Sequence, residues 1–336
     1  MRLACWDSQR AAYRLPTFLF ESVQVAIKSG ITALTLEVEQ YGAADRGTII
    51  LIMGLGTQLI AWPMEFVRAL AAAGYRVIRF DNRDVGLSSK FASFGSPDAA
   101  SVTVRRLLRL PINAPYTLHD MAQDTVGLMD ALGIDRAHIV GASLGGMIAQ
   151  LLAARHASRV CSLTTIMSSP GAPLPWDSTA AARRVILART PANATQDDLI
   201  QQRVRTYRVI GGPNQAMPEE VLREMARLTI ERCADRTGSR RQLAATQATG
   251  SLRRCLRDIH VPTLIIHGLD DPLITPRRSR QLHRGIRGSK LLLLEGMGHN
   301  LPRQLMPQIV QAIVENCAKV PVSGNPRNLI QTSNNP

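Results

Sequence analysis

Residues 137–146 read AHIVGASLGG, and this decapeptide constrains the fold more than any other stretch of the chain. A short apolar run, Ile139-Val140, leads into Gly141-Ala142-Ser143-Leu144-Gly145, and a helical pattern from Met147 to Leu152 follows at once. A strand that turns into a helix over so few residues packs the two backbones too closely for side chains. Glycines are therefore needed on both sides, and Ser143 is driven into a rare backbone conformation. A serine held on such a turn is presented above a sheet edge, where its hydroxyl can act as a nucleophile. A tight turn with a capping serine would give the same letters, so the rest of the chain has to decide.

Apolar runs recur along the sequence with helical patterns between them. Ser22 to Ile27 alternates, Ser29-Gly30 turns, and Thr32 to Val38 mixes apolar and polar residues, which predicts a β-hairpin. Thr48–Met53 is almost wholly apolar and predicts a strand buried on both faces, Tyr75–Phe80 and Val160–Met167 predict further strands, and Pro262–Ile266 and Leu291–Leu294 predict two more buried ones. Helical periodicity is expected over Trp62–Ala73, Leu118–Leu132, Pro276–Ile286 and Met306–Val314. This alternation implies an α/β fold whose mostly parallel, doubly wound sheet carries helices on both faces. From Gly171 to Asp258 the alternation stops. Only helical segments appear there, divided by Pro191, Gly211-Gly212-Pro213, Pro218 and Gly238. The expected organisation is an N-terminal extension (1–20), a core (21–170 and 259–317), an inserted helical cap (171–258) over the C-terminal edge of the sheet, and a Pro/Asn-rich disordered tail (318–336).

Composition narrows the chemistry. The 336 residues carry a formal charge of +14, mostly from arginine. Many arginines interleave with Glu219, Glu220, Glu224 and Glu231 at helical spacing, and aromatics are sparse. A solvated helical surface is expected rather than a nucleic-acid interface. The acid-free run from Arg277 to Lys290 is the best basic patch. Five scattered cysteines without a C-x-x-C pair argue against a disulfide framework or a zinc site and for a reducing, cytoplasmic setting. No apolar run is long enough for a transmembrane helix, and no secretory signal is expected. The oligomeric state is not readable.

A nucleophilic serine needs a base, and the base needs an orienting acid. Asp271 stands beyond the His267-Gly268 turn that follows strand Pro262–Ile266, and is preferred to its neighbour Asp270. His299, in Gly296-Met297-Gly298-His299-Asn300 after strand Leu291–Leu294, can swing over the sheet edge, with His267 its serious rival. The Leu144 N–H opens a helix and suits an oxyanion. A second donor is expected from Met53-Gly54-Leu55-Gly56-Thr57-Gln58, with Leu55 first and Gly56 the alternative. That loop lacks the endings of a P-loop or a dinucleotide fingerprint. No metal and no cofactor are expected. Trp62, Met147 and Trp176 are the candidate substrate-binding residues, with ordinary core packing the competing reading.

These residues stand in the order nucleophile, acid, histidine, as in the α/β-hydrolase family. With Phe80-Asp81-Asn82-Arg83-Asp84-Val85-Gly86-Leu87-Ser88 and Tyr116-Thr117-Leu118-His119-Asp120-Met121-Ala122, the chain resembles that family from about Thr32 to Glu315. It looks most like the aclacinomycin methylesterase and cofactor-free haloperoxidase-like esterases. The resemblance implies a serine hydrolase that cleaves a small or medium apolar ester through an acyl-enzyme. The same triad also serves perhydrolases and haloperoxidases, and some members of the fold have become ligand receptors. Two departures stand out. Met53-Gly54 replaces the usual His-Gly before the oxyanion loop, and the segment Ser89–Pro115 is longer than usual and expected to rim the site.

Overall fold

The computed structural model describes residues 21–320, apart from 31, 173–174, 189–190, 192, 213–217, 234 and 236. The expected N-terminal extension and all but the first three residues of the expected tail lie outside the described residues. Eight strands form one sheet: β1 Glu21–Ser29, β2 Thr32–Tyr41, β3 Thr48–Ile52, β4 Arg76–Phe80, β5 Ala137–Ala142, β6 Val160–Ile166, β7 Thr263–Gly268 and β8 Lys290–Leu294. Their order is β1-β2-β4-β3-β5-β6-β7-β8. The β1–β2 hairpin is antiparallel and β2 joins β4 antiparallel, while every pairing from β4 to β8 is parallel. The predicted hairpin and the predicted central strands are all present.

The pleat explains how apolar runs become a two-sided core. Along β3, Ile50 and Ile52 point into one apolar cluster, and Ile49 and Leu51 into the other. Helices α1 (Met64–Ala72) and α10 (Met306–Cys317) cover the second face. Helices α3 (Leu118–Ala131), α4 (Leu144–Arg155) and α9 (Pro276–Gly285) cover the first. Helix α4 is buried on all sides from Leu144 to Ala153, which is why its sequence shows no polar face. Helix α3 starts at a capping box between Thr117 and Asp120.

Two differences from the sequence reading bear on the site. Helix α1 begins at Met64, not Trp62, because Trp62 precedes Pro63 and is pushed towards extended backbone. The long segment after β4 contains a further helix, α2 (Ala99–Leu107), capped by Asp98, whose side chain accepts the Ser101 N–H. Between β6 and β7 lie α5 (Ala180–Ile186), α6 (Gln196–Ile210), α7 (Glu219–Arg232) and α8 (Thr237–Thr249), and among the described residues no strand interrupts them. A single antiparallel bridge, Gly171 to Ser251, joins the two ends of this block.

Candidate active site

Ser143 sits between β5 and α4 with φ 55° and ψ −117°, in the left-handed half of the backbone map. Its N–H donates to the Ile166 carbonyl at 2.9 Å, and its own carbonyl accepts from Ser168 Oγ at 2.7 Å. The flanking glycines are sterically required. A Cβ on Gly145 would stand 2.0 Å from the Ile52 carbonyl oxygen, and one on Gly141 would stand 2.2 Å from the Gly145 carbonyl oxygen. The strained turn is therefore fixed by backbone pressed against backbone.

The loop after β3 packs against this turn: a Cβ on Gly54 would lie 3.1 Å from Ser143 Cβ and 3.6 Å from its Oγ. The geometry distinguishes the two donors that the sequence ranked, Leu55 before Gly56. The Gly56 N–H donates to Gln242 Oε1 at 2.8 Å, so it is occupied. The Leu55 and Leu144 N–H groups have no partner among the described residues.

Asp271 follows β7, and its carboxylate is fully enclosed. Oδ1 accepts the N–H groups of Leu273 and Ile274 at 2.8 and 2.9 Å, and Oδ2 meets His299 Nδ1 at 2.7 Å. Burial alone would raise its pKa, but the His299 and His267 rings outweigh burial and hold the carboxyl well below the usual carboxylate range. Asp270 does something else: its Oδ2 accepts the Gly296 N–H at 2.8 Å and fixes the loop that carries His299.

His267 is not an open rival to His299. It is fully buried at the end of β7, its Nε2 lying 2.7 Å from the Ile274 carbonyl and 3.2 Å from Asp271 Oδ2. Its Nδ1 pairs with Ser279 Oγ. Nε2 faces two acceptors and must carry the proton, so Nδ1 accepts from the serine. Asp271 is thus gripped by histidines on two sides, an arrangement that sequence reasoning missed. The only signal was the His-Gly ending of the strand.

Ser143, Asp271 and His299 follow β5, β7 and β8, three strands of the parallel part of the sheet, so all three leave the same C-terminal edge. Residues 47–302 match the model of the alpha/beta hydrolase fold. The chain belongs to the α/β-hydrolase family. It is 29% identical over 298 residues to rhodomycin D methylesterase DauP of Streptomyces sp. (strain C5), covering 83% of this chain and 94% of that protein. It is 26% identical to 3-oxoadipate enol-lactonase 1 of Acinetobacter baylyi, covering 72% of this chain and 77% of the other. Among solved structures, the enol-lactonase from Burkholderia xenovorans LB400 superposes with a TM-score of 0.65 at 23% identity, over 88% of this chain and all of that one.

Within this α/β-hydrolase, the helical block between β6 and β7 touches both sides of the site. The end of α6 reaches the histidine loop, where His299 N–H donates to the Ile210 carbonyl at 2.7 Å. Helix α8 reaches the oxyanion loop through Gln242, whose Nε2 also donates to the Arg83 carbonyl at 2.8 Å. Two charge pairs hold α7 and α8 down. Arg232 meets Asp81, and Arg241 grips Asp84 with Nε and Nη2 at 2.9 and 2.8 Å. Burial pushes the Asp81 carboxyl up, against the pull of Arg232 and of the Leu59 and Leu87 N–H groups.

The three expected substrate-binding residues do not come together. Trp62 is fully buried, stacked on Phe66 in the cluster beneath α1 and α10, because the loop after β3 turns it inward under Pro63. Met147 is buried on the opposite face of the sheet, in the cluster beneath α3 and α4. Trp176 is 65% exposed. Among the described residues no three His, Cys, Asp or Glu side chains cluster as a metal site, and no helix is long and apolar enough to cross a membrane.

Proposed function

We propose that this chain is a serine carboxylic ester hydrolase working through an acyl-enzyme. The observation that carries the reading is Asp271, paired with His299 at 2.7 Å on the sheet edge where Ser143 is held at φ 55°. Ser143 Oγ attacks the ester carbonyl carbon, and His299 Nε2 takes the hydroxyl proton. Asp271 fixes Nδ1 as the protonated nitrogen and offsets the imidazolium charge. The oxyanion is bound by the Leu55 and Leu144 N–H groups, both without a partner among the described residues. His299 returns its proton to the departing alkoxide, and the acyl group stays on Ser143. A water molecule, deprotonated by His299, then attacks the acyl carbon, releases the acid and restores Ser143.

The α5–α8 block is the cap of this site, because α6 and α8 reach the histidine and oxyanion loops. Its inner wall, rather than Trp62, Met147 and Trp176, selects a small or medium apolar ester. Relatives named for methyl-ester and enol-lactone cleavage support that class. The free Cys161, Cys233, Cys255 and Cys317 support a reducing, cytoplasmic setting. The test is Ser143→Ala assayed on short p-nitrophenyl esters. The reading requires turnover to fall by about a thousandfold or more with the fold intact. Retained turnover would overturn it.

A further inference from the structure

Half of the large apolar side chains that stand exposed among the described residues lie between Leu87 and Leu110. They are Leu87, Phe94, Val104, Leu107, Leu108 and Leu110, and Leu108 and Phe94 are 64% and 62% exposed. Helix α2 turns Val102 inward and packs on α8, while Val104, Leu107 and Leu108, spaced i, i+3, i+4, form one outward stripe. Arg105, Arg106 and Arg109 interleave with these leucines, and from Ala99 to Pro115 the sequence has no acidic residue. Helix α8, packed behind, has none either.

The patch is rigidly built. Arg109 adopts φ 56°, and the Leu110 N–H donates to the Arg105 carbonyl at 2.8 Å while the Arg109 N–H donates to that of Arg106. This double closure is a Schellman cap, normally finished by glycine. It holds Leu107, Leu108 and Leu110 outward at the strain of a left-handed arginine. The segment leaves the C-terminal end of β4, beside the β3 loop that faces Ser143, so it lies at the same sheet edge as the candidate site.

We propose that α2 and its cap form a docking surface for an anionic lipid bilayer, the leucines and Phe94 entering the interface and Arg105 and Arg109 meeting lipid phosphates. Exposed aliphatic side chains interleaved with arginine fit a surface that is apolar beneath and anionic on top. A second copy of the chain fits poorly, because a twofold contact would set Arg105, Arg106 and Arg109 against their copies, with only Asp98, already engaged by the Ser101 N–H, as an acid in the segment to answer. The surface does not depend on the esterase reading, and its deciding readout is vesicle binding rather than turnover.

The test floats the full chain with vesicles of phosphatidylcholine plus phosphatidylglycerol, and with vesicles of phosphatidylcholine alone. Wild-type protein rises with the anionic vesicles only. The double variants Leu107→Ser/Leu108→Ser and Arg105→Ser/Arg109→Ser each bind on the order of tenfold more weakly. Their circular dichroism and turnover of a short soluble ester match wild type. Failure of the wild type to bind anionic vesicles at low salt would overturn the proposal, as would equal binding to neutral ones. So would a wild-type dimer, seen by light scattering, that the leucine variant splits.

Discussion

The Ser143 turn and the α5–α8 block meet at the same sheet edge but are built by opposite means. At the turn, backbone presses on backbone: Gly145 faces the Ile52 carbonyl and Gly141 faces that of Gly145. Across the block's seam, long side chains do the joining, with Arg232 on Asp81, Arg241 on Asp84, and Gln242 between the Gly56 N–H and the Arg83 carbonyl. A turn flanked by glycines pressed on backbone has one geometry and fixes Ser143. A seam of paired charges has a high cost of separation but can be redrawn by changing both partners.

The comparison can be broken first at the turn. Gly145→Ala brings a methyl group to within 2.0 Å of a carbonyl oxygen on β3, and only a shift of α4 away from the sheet relieves it. Urea unfolding is expected to show a loss of several kcal/mol, with ester turnover abolished. A loss below 1 kcal/mol would mean that the turn has slack.

At the seam, Arg241→Met strands the buried Asp84 carboxylate, which then keeps only the Tyr116 hydroxyl at 2.6 Å and the Phe91 N–H at 2.8 Å. The expected cost is about 3–5 kcal/mol. Replacing both partners, Asp84→Asn with Arg241→Met, is expected to recover part of it, because asparagine carries no charge, still accepts the Phe91 N–H and tolerates the left-handed backbone of residue 84 (φ 71°). No recovery would show that the seam is as unforgiving as the turn.

A smaller effect sharpens the account of the strand beneath Ser143. His138, buried on β5 against Ser162 and the edge of Tyr75, is held down to about 4, by burial first and then by Arg136 and Arg46. As pH falls from about 6.5 towards 4, the unfolded chain gains a proton that the native state refuses, so stability drops by roughly 2–3 kcal/mol. Asp271, with its depressed pKa, adds its own loss only below the ordinary carboxylate range. His138→Gln is expected to flatten the decline between pH 6.5 and 4 in denaturation midpoints.

The same contrast explains what the sequence made legible. The strands, the turn and the order Ser143, Asp271, His299 are local patterns, and each is present. The sequence prefers Asp271 to Asp270 by its place beyond the turn, but what each carboxylate engages, His299 for the one and Gly296 for the other, depends on the loop after β8. Choosing Leu55 over Gly56 needed Gln242, which lies 186 residues further along the chain. Trp62 looked like a ligand contact because a buried aromatic and a pocket aromatic are alike in sequence. Helix α2 escaped notice because its outward face is apolar, against the usual periodicity. The grip of His267 on Asp271 is long-range in the same way, through Ser279 and the Ile274 carbonyl.

The central claim is that Ser143 is a nucleophile activated by His299. A fluorophosphonate reacts covalently with such a serine, and peptide mass spectrometry then reports the modified residue. The account predicts a single adduct on Ser143, formed rapidly by wild type and lost in His299→Ala. No adduct, an adduct on another serine, or undiminished labelling of His299→Ala would contradict it.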